Sequence, residues 1–119
     1  RHNARTDMCI GIGGSPEGIV TACAIKALGG HIQGRMWPRD DAERQRGIDA
    51  GLKMDYVYEA DELVKGNNTI FVATGVTDGQ LVSGVRRAGD WLYTESVVLR
   101  GASGTLRRIS SEHLTSKWL

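Results

Sequence analysis

Two adjacent glycines followed by Ser-Pro limit what this chain can fold into more than any other feature. Residues 7–18 read DMCIGIGGSPEG. A short apolar run (Met8, Cys9, Ile10, Ile12) ends in Gly13 and Gly14, and a helical pattern opens behind them. The pattern predicts a buried strand over residues 8–12, a sharp glycine turn, and a helix over residues 16–28. Ser15 reads as the helix N-cap and Pro16 as the first helical residue, where its missing N–H costs nothing. A turn of this kind leaves backbone N–H groups unpaired beside the positive end of a helix dipole, which is a seat for phosphate. Glu17, on the first helical turn, is the residue of chemical interest. The dipole alone favours a carboxylate there. The same carboxylate is also placed to give one oxygen to Mg2+ or Mn2+ beside a phosphate, because such cations use few carboxylates plus substrate oxygens.

Along the rest of the chain, helical and strand-like stretches alternate. Ile19, Ala22, Cys23 and Ala27 share one helix face, and Gly29 with Gly30 closes that helix. A strand over residues 31–37, stopped by Pro38, completes a βαβ pattern, so the two strands are expected to be parallel with a right-handed crossover. Asp40 reads as an N-cap, with Glu43 in a capping-box variant. The charged helix that follows runs to about Ala50 and ends at Gly51; its thin apolar face, Ala42 and Ile48, places it at the surface. A short strand over 54–58, a helical turn over 60–64 and a turn over 65–68 come next. Residues 69–74 (TIFVAT) read as a central strand, followed by a glycine loop over 75–79 and a short helix capped by Asp78. Residues 91–100 and 105–111 read as an antiparallel hairpin. The expected class is α/β, a single layered domain over residues 1–119 with a mixed sheet and a terminal hairpin.

Composition excludes several functions. The net charge is +1 with a pI near 8.0, and no basic cluster forms a face for nucleic acid. No segment approaches the ~20 apolar residues that span a bilayer, and the polar start RHNARTD is neither signal nor transit peptide. That start is Arg1 rather than Met, which reads as a piece of something longer. Cys9 and Cys23 read as reduced core thiols. His2, His31 and His113 form no metal-ligand spacing, and Trp37, Trp91 and Trp118 are read as packing or interface residues. The Thr74–Gly79 loop offers hydroxyls to a site, or is simply a connection.

Three commoner glycine loops fit poorly. A dinucleotide fingerprint needs a third glycine where Pro16 stands. A Walker loop needs Lys and a hydroxyl where Ile19 and Val20 stand. A nucleophile elbow fails because Glu17 occupies its last glycine position.

IGIGGSPEGIVTACAIKALGG, IQGRMWPRDD, IFVATGVTDG and TESVVLRGASGTLRRI, in that order, resemble the C-terminal part of class II fructose-1,6-bisphosphatases, the GlpX type of bacteria. The likeness runs from about Asp7 to His113. It implies a layered, inositol-phosphatase-like sugar-phosphatase fold and hydrolysis of the 1-phosphate of fructose 1,6-bisphosphate in gluconeogenesis, with Mg2+ or Mn2+. It puts Glu17 at a metal-ligating glutamate and Gly14 at a substrate contact, so that Gly13, Gly14 and Ser15 surround the sugar phosphate. It implies a cytoplasmic, oligomeric enzyme. The family's remaining metal carboxylates, its water-activating threonine, its basic substrate-gripping segment and its D-G-D segment have no counterpart here. Arg1 and His2 do not inherit the basic segment's role. One carboxylate does not build a phosphatase metal site, so the N-terminal half of the enzyme is the expected partner and no catalytic residue is assigned to this portion. The rival readings are a non-catalytic phosphate- or dinucleotide-binding module and a structural assembly surface.

Overall fold

The computed structural model describes residues 7–117. Its centre is a long hairpin, strands β5 (Trp91–Arg100) and β6 (Thr105–Leu114), paired antiparallel from Trp91↔Leu114 to Arg100↔Thr105. A 3-10 turn, Gly101–Ser103, joins them, and Gly104 closes it at φ 58°, a conformation that favours glycine. The other edge of β5 carries two strands end to end. Strand β3 (Ile70–Thr74) pairs with residues 96–100, and β4 (Arg86–Ala88) with residues 91–93, both antiparallel. Backbone bonds outside the strands agree: Glu95 accepts from the Gly75 N–H on the β3 side, and Asp90 accepts from the Thr115 N–H on the β6 side.

Helix α1 (Ser15–Ala27) lies across this sheet, against β3 and β5. Most of the buried apolar side chains collect beneath it and around its C-terminal end: Ala22, Ala27, Val64, Val97 and Leu99; Met54 is buried beside Gly47. Its end follows the glycine rule closely. Gly29, at φ 71°, donates to Lys26 O at 3.0 Å and Gly30 to Ile25 O at 2.9 Å, a Schellman closure. Helix α2 (Asp41–Asp49) begins as expected, with the Asp40 carboxylate accepting from Glu43 N–H at 2.7 Å. The Glu43 carboxylate accepts instead from Arg39 N–H at 2.7 Å, one residue earlier than in a standard box. That backbone bond, with the Arg39 guanidinium, holds the Glu43 carboxyl below the usual glutamate range. No residue of α2 is buried, as its thin apolar face implied. A small second sheet pairs β1 (Gln33–Arg35) antiparallel with β2 (Val57–Glu59), and α3 (Ala60–Leu63) follows directly.

Several expectations are overturned. Residues 8–12 form no strand: Met8, Ile10 and Ile12 are 73%, 85% and 77% exposed. An apolar run becomes a strand only with a ladder partner and a cover, and the segment has neither here. The βαβ pair therefore does not form, and β1 turns to β2. Both sheets are wholly antiparallel among the described residues, so the sheet is not mixed. Ser15 is the first helical residue and Gly14 the N-cap, because Pro16 fits the second helical position as well as the first. Strand β3 is an edge and β5 is central, since the hairpin's length lets β5 take partners on both sides. Cys9 is exposed and Cys23 half-buried, and both are free. Trp37 is 61% exposed and carries the Arg35 guanidinium 5.2 Å above its ring; Trp91 is 41% exposed. Arg1, His2 and Trp118 lie outside the described residues.

No helix follows the 75–79 loop. Asp78 does not cap; its Oδ1 accepts from Gly84 N–H at 2.8 Å and ties residues 75–85 into a closed loop. Gly75 and Gly84 are buried at its neck, where a Cβ would strike Ser83 O or the Thr77 backbone. Glu95 fastens the loop to the hairpin by accepting from Ser83 N–H at 2.6 Å, and Arg108 donates to Leu81 O at 2.7 Å. The Ser83 N–H, with help from Arg108, pulls the Glu95 carboxyl below the usual glutamate range.

The molecule is drawn out, with extents of 53 × 34 × 28 Å and a radius of gyration of 18.1 Å. A compact domain of this length has a radius of about 13.5 Å. Its accessible surface is 9410 Å², where a compact monomer of this mass exposes about 6,300 Å².

Two outcomes follow from these ties. Asp40→Ala removes the cap of α2 and is expected to lower stability by about 1 kcal/mol in chemical denaturation. The Glu95 clamp has a depressed folded-state pKa, so its contribution is complete above the unfolded value and is lost as pH falls through the folded one. Amide exchange at Ser83, corrected for intrinsic rate, is therefore expected to stay slow at neutral pH and to quicken only below the normal glutamate titration range. In Glu95→Gln that pH step disappears.

Candidate functional site

The turn before α1 is built from the lack of side chains. Gly14 sits at φ −66°, ψ 150°, and no side chain caps the helix. The first helical bond is Gly18 N–H to Gly14 O, at 3.0 Å. Pro16 has no N–H, so the open donors of the first turn are the Ser15 and Glu17 amides, which find no acceptor among the described residues. They point out of the positive end of a 13-residue helix.

Glu17 folds back over this end. A Cβ built on Gly14 would collide with Glu17 Oε2 and lie 3.1 Å from Glu17 Cδ. Glycine at 14 is thus what lets the carboxylate reach over the turn. The carboxylate makes no hydrogen bond or ion pair with any other described residue, and the Thr21 hydroxyl bonds only the Glu17 carbonyl, at 2.8 Å. Nothing lies within 4 Å of a Cβ on Gly13, so the approach to the turn is open. The structure therefore brings Gly13, Gly14, Ser15 and Glu17 together on one exposed turn.

The electrostatics of this turn are specific. Two open N–H groups attract an anion, and a carboxylate over the same turn repels one. A cation between carboxylate and anion resolves the conflict. Among the described residues no three of His, Cys, Asp and Glu gather to hold a metal ion. The donor set thus fits one ligand of a shared Mg2+ or Mn2+ site and does not fit a self-sufficient one.

The other residues singled out in the sequence lie in different contacts. His31 faces Glu59 at 3.7 Å on the small sheet, and His113 Nε2 meets Thr94 Oγ1 at 3.1 Å inside the hairpin. Thr74 Oγ1 is engaged with Ser96 Oγ at 2.8 Å, and Asp78 closes its loop, so this loop is a connection in its own right. A groove of about 280 Å³ that no motif announced begins at Ser15. It runs between Met36, Trp37, Pro38 and the α2 residues Glu43, Arg46 and Gly47. Its one trace in the sequence is Gly47, where a Cβ would sit 2.6 Å from Met54 Sδ. No helix of the described residues is long and apolar enough to cross a membrane.

The profile of the family described as bacterial fructose-1,6-bisphosphatase, glpX-encoded, matches residues 1–113. The class 2 fructose-1,6-bisphosphatase of Haemophilus influenzae is 40% identical over 124 aligned residues, covering 93% of this chain and 37% of that protein. Two class 2 fructose-1,6-bisphosphatases of Escherichia coli are 38% and 37% identical, covering 90% and 93% of this chain and 37% of each relative. The chain spans a little over a third of the length of the curated relatives it matches. With the profile covering nearly all of its residues, the chain belongs to the glpX-encoded, class 2 fructose-1,6-bisphosphatase family.

Proposed function

We propose that this chain is the C-terminal portion of a class 2 fructose-1,6-bisphosphatase and supplies one wall of its active site. The reaction is hydrolysis of the 1-phosphate of fructose 1,6-bisphosphate, a cytoplasmic step of gluconeogenesis. The remaining wall comes from the N-terminal half of the same enzyme, within a layered, inositol-phosphatase-like fold and an oligomer. The observation that carries this reading is the Gly14 turn: open N–H groups and an unpartnered carboxylate together, in a chain whose relatives are named for a bisphosphatase.

Each residue has a defined task. The Ser15 and Glu17 N–H groups hold phosphate oxygens, and the helix dipole adds to their pull. Gly13 and Gly14 keep the approach clear of side chains. The Glu17 carboxylate holds Mg2+ or Mn2+ together with carboxylates from the other half. Held there, such an ion would supply charge neutralisation at the phosphoryl group and a more acidic water. Gly14 serves this indirectly, by leaving Glu17 room to fold back.

The test uses the complete enzyme, this portion joined to its N-terminal half. Glu17→Gln is expected to lower kcat by about a hundredfold or more and to raise the Mn2+ concentration needed for half-maximal rate. The circular dichroism should not change, because the side chain contacts no neighbour that a change would release. Gly14→Ala pushes the carboxylate aside and is expected to weaken metal and substrate together. Wild-type phosphate release from Glu17→Gln would refute the assignment. Calorimetric binding of NADP in place of the sugar bisphosphate would favour a dinucleotide module instead.

A further inference from the structure

We infer that the groove beside Ser15 is a second binding site, which takes a small sugar phosphate: its anion at Arg46 and its body against Trp37. Helix α2 builds one wall. Glu43, Arg46, Gly47 and Ala50 fall at i, i+3, i+4 and i+7, so a single stripe of the helix lines the groove. The stripe is polar or small, and apolar periodicity therefore passes it over. Gly47 lets the buried Met54 close against the helix, where a Cβ would lie 2.6 Å from its Sδ. Trp37 stands across the groove. Pro38 favours extended backbone at the residue before it, and the Arg35 guanidinium, 5.2 Å from the ring centroid, adds a cation–π contact that steadies the indole. The ring is still 61% exposed.

Charge decides what enters. The arginines near the groove are engaged, with one exception. Arg35 lies over Trp37, Arg39 pairs with Glu43 at 3.2 Å, and Arg44 pairs with Asp55 at 2.6 Å. The Arg46 side chain makes no hydrogen bond or ion pair with a described residue. Glu43, the carboxylate of the groove, already accepts from the Arg39 N–H and guanidinium, so it leaves the Arg46 charge uncompensated. A free guanidinium presents forked N–H donors that match phosphate oxygens. The Ser15 hydroxyl, on the same groove, is likewise unbonded among the described residues. A steadied indole beside these donors suits the C–H face of a sugar. Size limits the guest. The groove holds about 280 Å³, just under the roughly 300–1,000 Å³ of ordinary ligand pockets, which admits a sugar monophosphate and not a dinucleotide. The site borders the Glu17 turn at Ser15 but uses neither Glu17 nor a metal ion.

The same chemistry has two sources, a free sugar monophosphate and the non-reacting end of a sugar bisphosphate. Calorimetric titration of the 119-residue chain with ribose 5-phosphate, without metal, tests the site itself. Arg46→Gln keeps a good helix former at an exposed position and is expected to weaken binding about tenfold or more. Trp37→Ala, also at the surface, is expected to weaken it about fivefold. Arg107→Gln, on exposed β6, should leave it as it is. Wild-type affinity in both groove variants overturns the proposal and puts the anion at the open amides of α1, with the enzymatic reading intact. No binding at millimolar ligand overturns it too, as does equal weakening by Arg107→Gln, the mark of unspecific attraction. Kinetics of the complete enzyme then name the source. If the substrate's remote end fills the groove, Arg46→Gln raises KM for fructose 1,6-bisphosphate more than for fructose 1-phosphate. If a free metabolite fills it, ribose 5-phosphate alters the wild-type rate and Arg46→Gln loses that response. Neither change, in an active enzyme, also overturns the proposal.

Discussion

Strand β5 is the piece on which the rest depends. It is hydrogen-bonded along both edges, to β6 for its full length and to β3 and β4 in succession. Its Val97 and Leu99 are the sheet residues that α1 buries. Remove that pairing and no other described element holds β3, β4 and α1 in one body. The same strand supplies Glu95, whose single carboxylate anchors the closed loop of residues 75–85. A strand saturated on both sides fixes its own register, because a one-residue slip would turn Val97 and Leu99 away from the helix.

Most local structure was legible and most long-range structure was not. Capping at Asp40, closure at Gly29 and Gly51, and the hairpin through Gly104 are decided within a few residues, and each is found close to where the sequence puts it. The failures share a cause. Whether residues 8–12 form a strand, whether 69–74 is central, and whether the sheet is mixed depend on which segments pair, and periodicity carries no information about partners. The helix predicted after Gly79 failed differently. Asp78 and Gly84 satisfy each other across six residues, and that competing turn chemistry used the side chain that a helix would have needed.

The candidate site was legible as chemistry rather than as geometry. Gly13, Gly14, Ser15 and Glu17 were identifiable as a candidate site from their residue types alone. The sequence did not reveal that the Glu17 carboxylate lies over Gly14, in space that a Cβ there would share. Nor did it reveal the groove beside Ser15, whose walls are brought together from residues 36–38 and from α2. Family membership rests on whole-chain similarity, and the chemical interest of this turn on its unpaired donors.

The drawn-out shape has a thermodynamic consequence. An unfolded chain of this mass exposes about 18,700 Å², so with 9410 Å² already wet in the folded state, melting uncovers about three-quarters of what a compact domain would uncover. Heat capacity and denaturant sensitivity both scale with newly hydrated area. Taken alone, this polypeptide has a flattened stability curve and a broad, gently sloping melting transition. The steepness that a compact domain of equal mass shows on heating belongs to area that this fold already leaves in water.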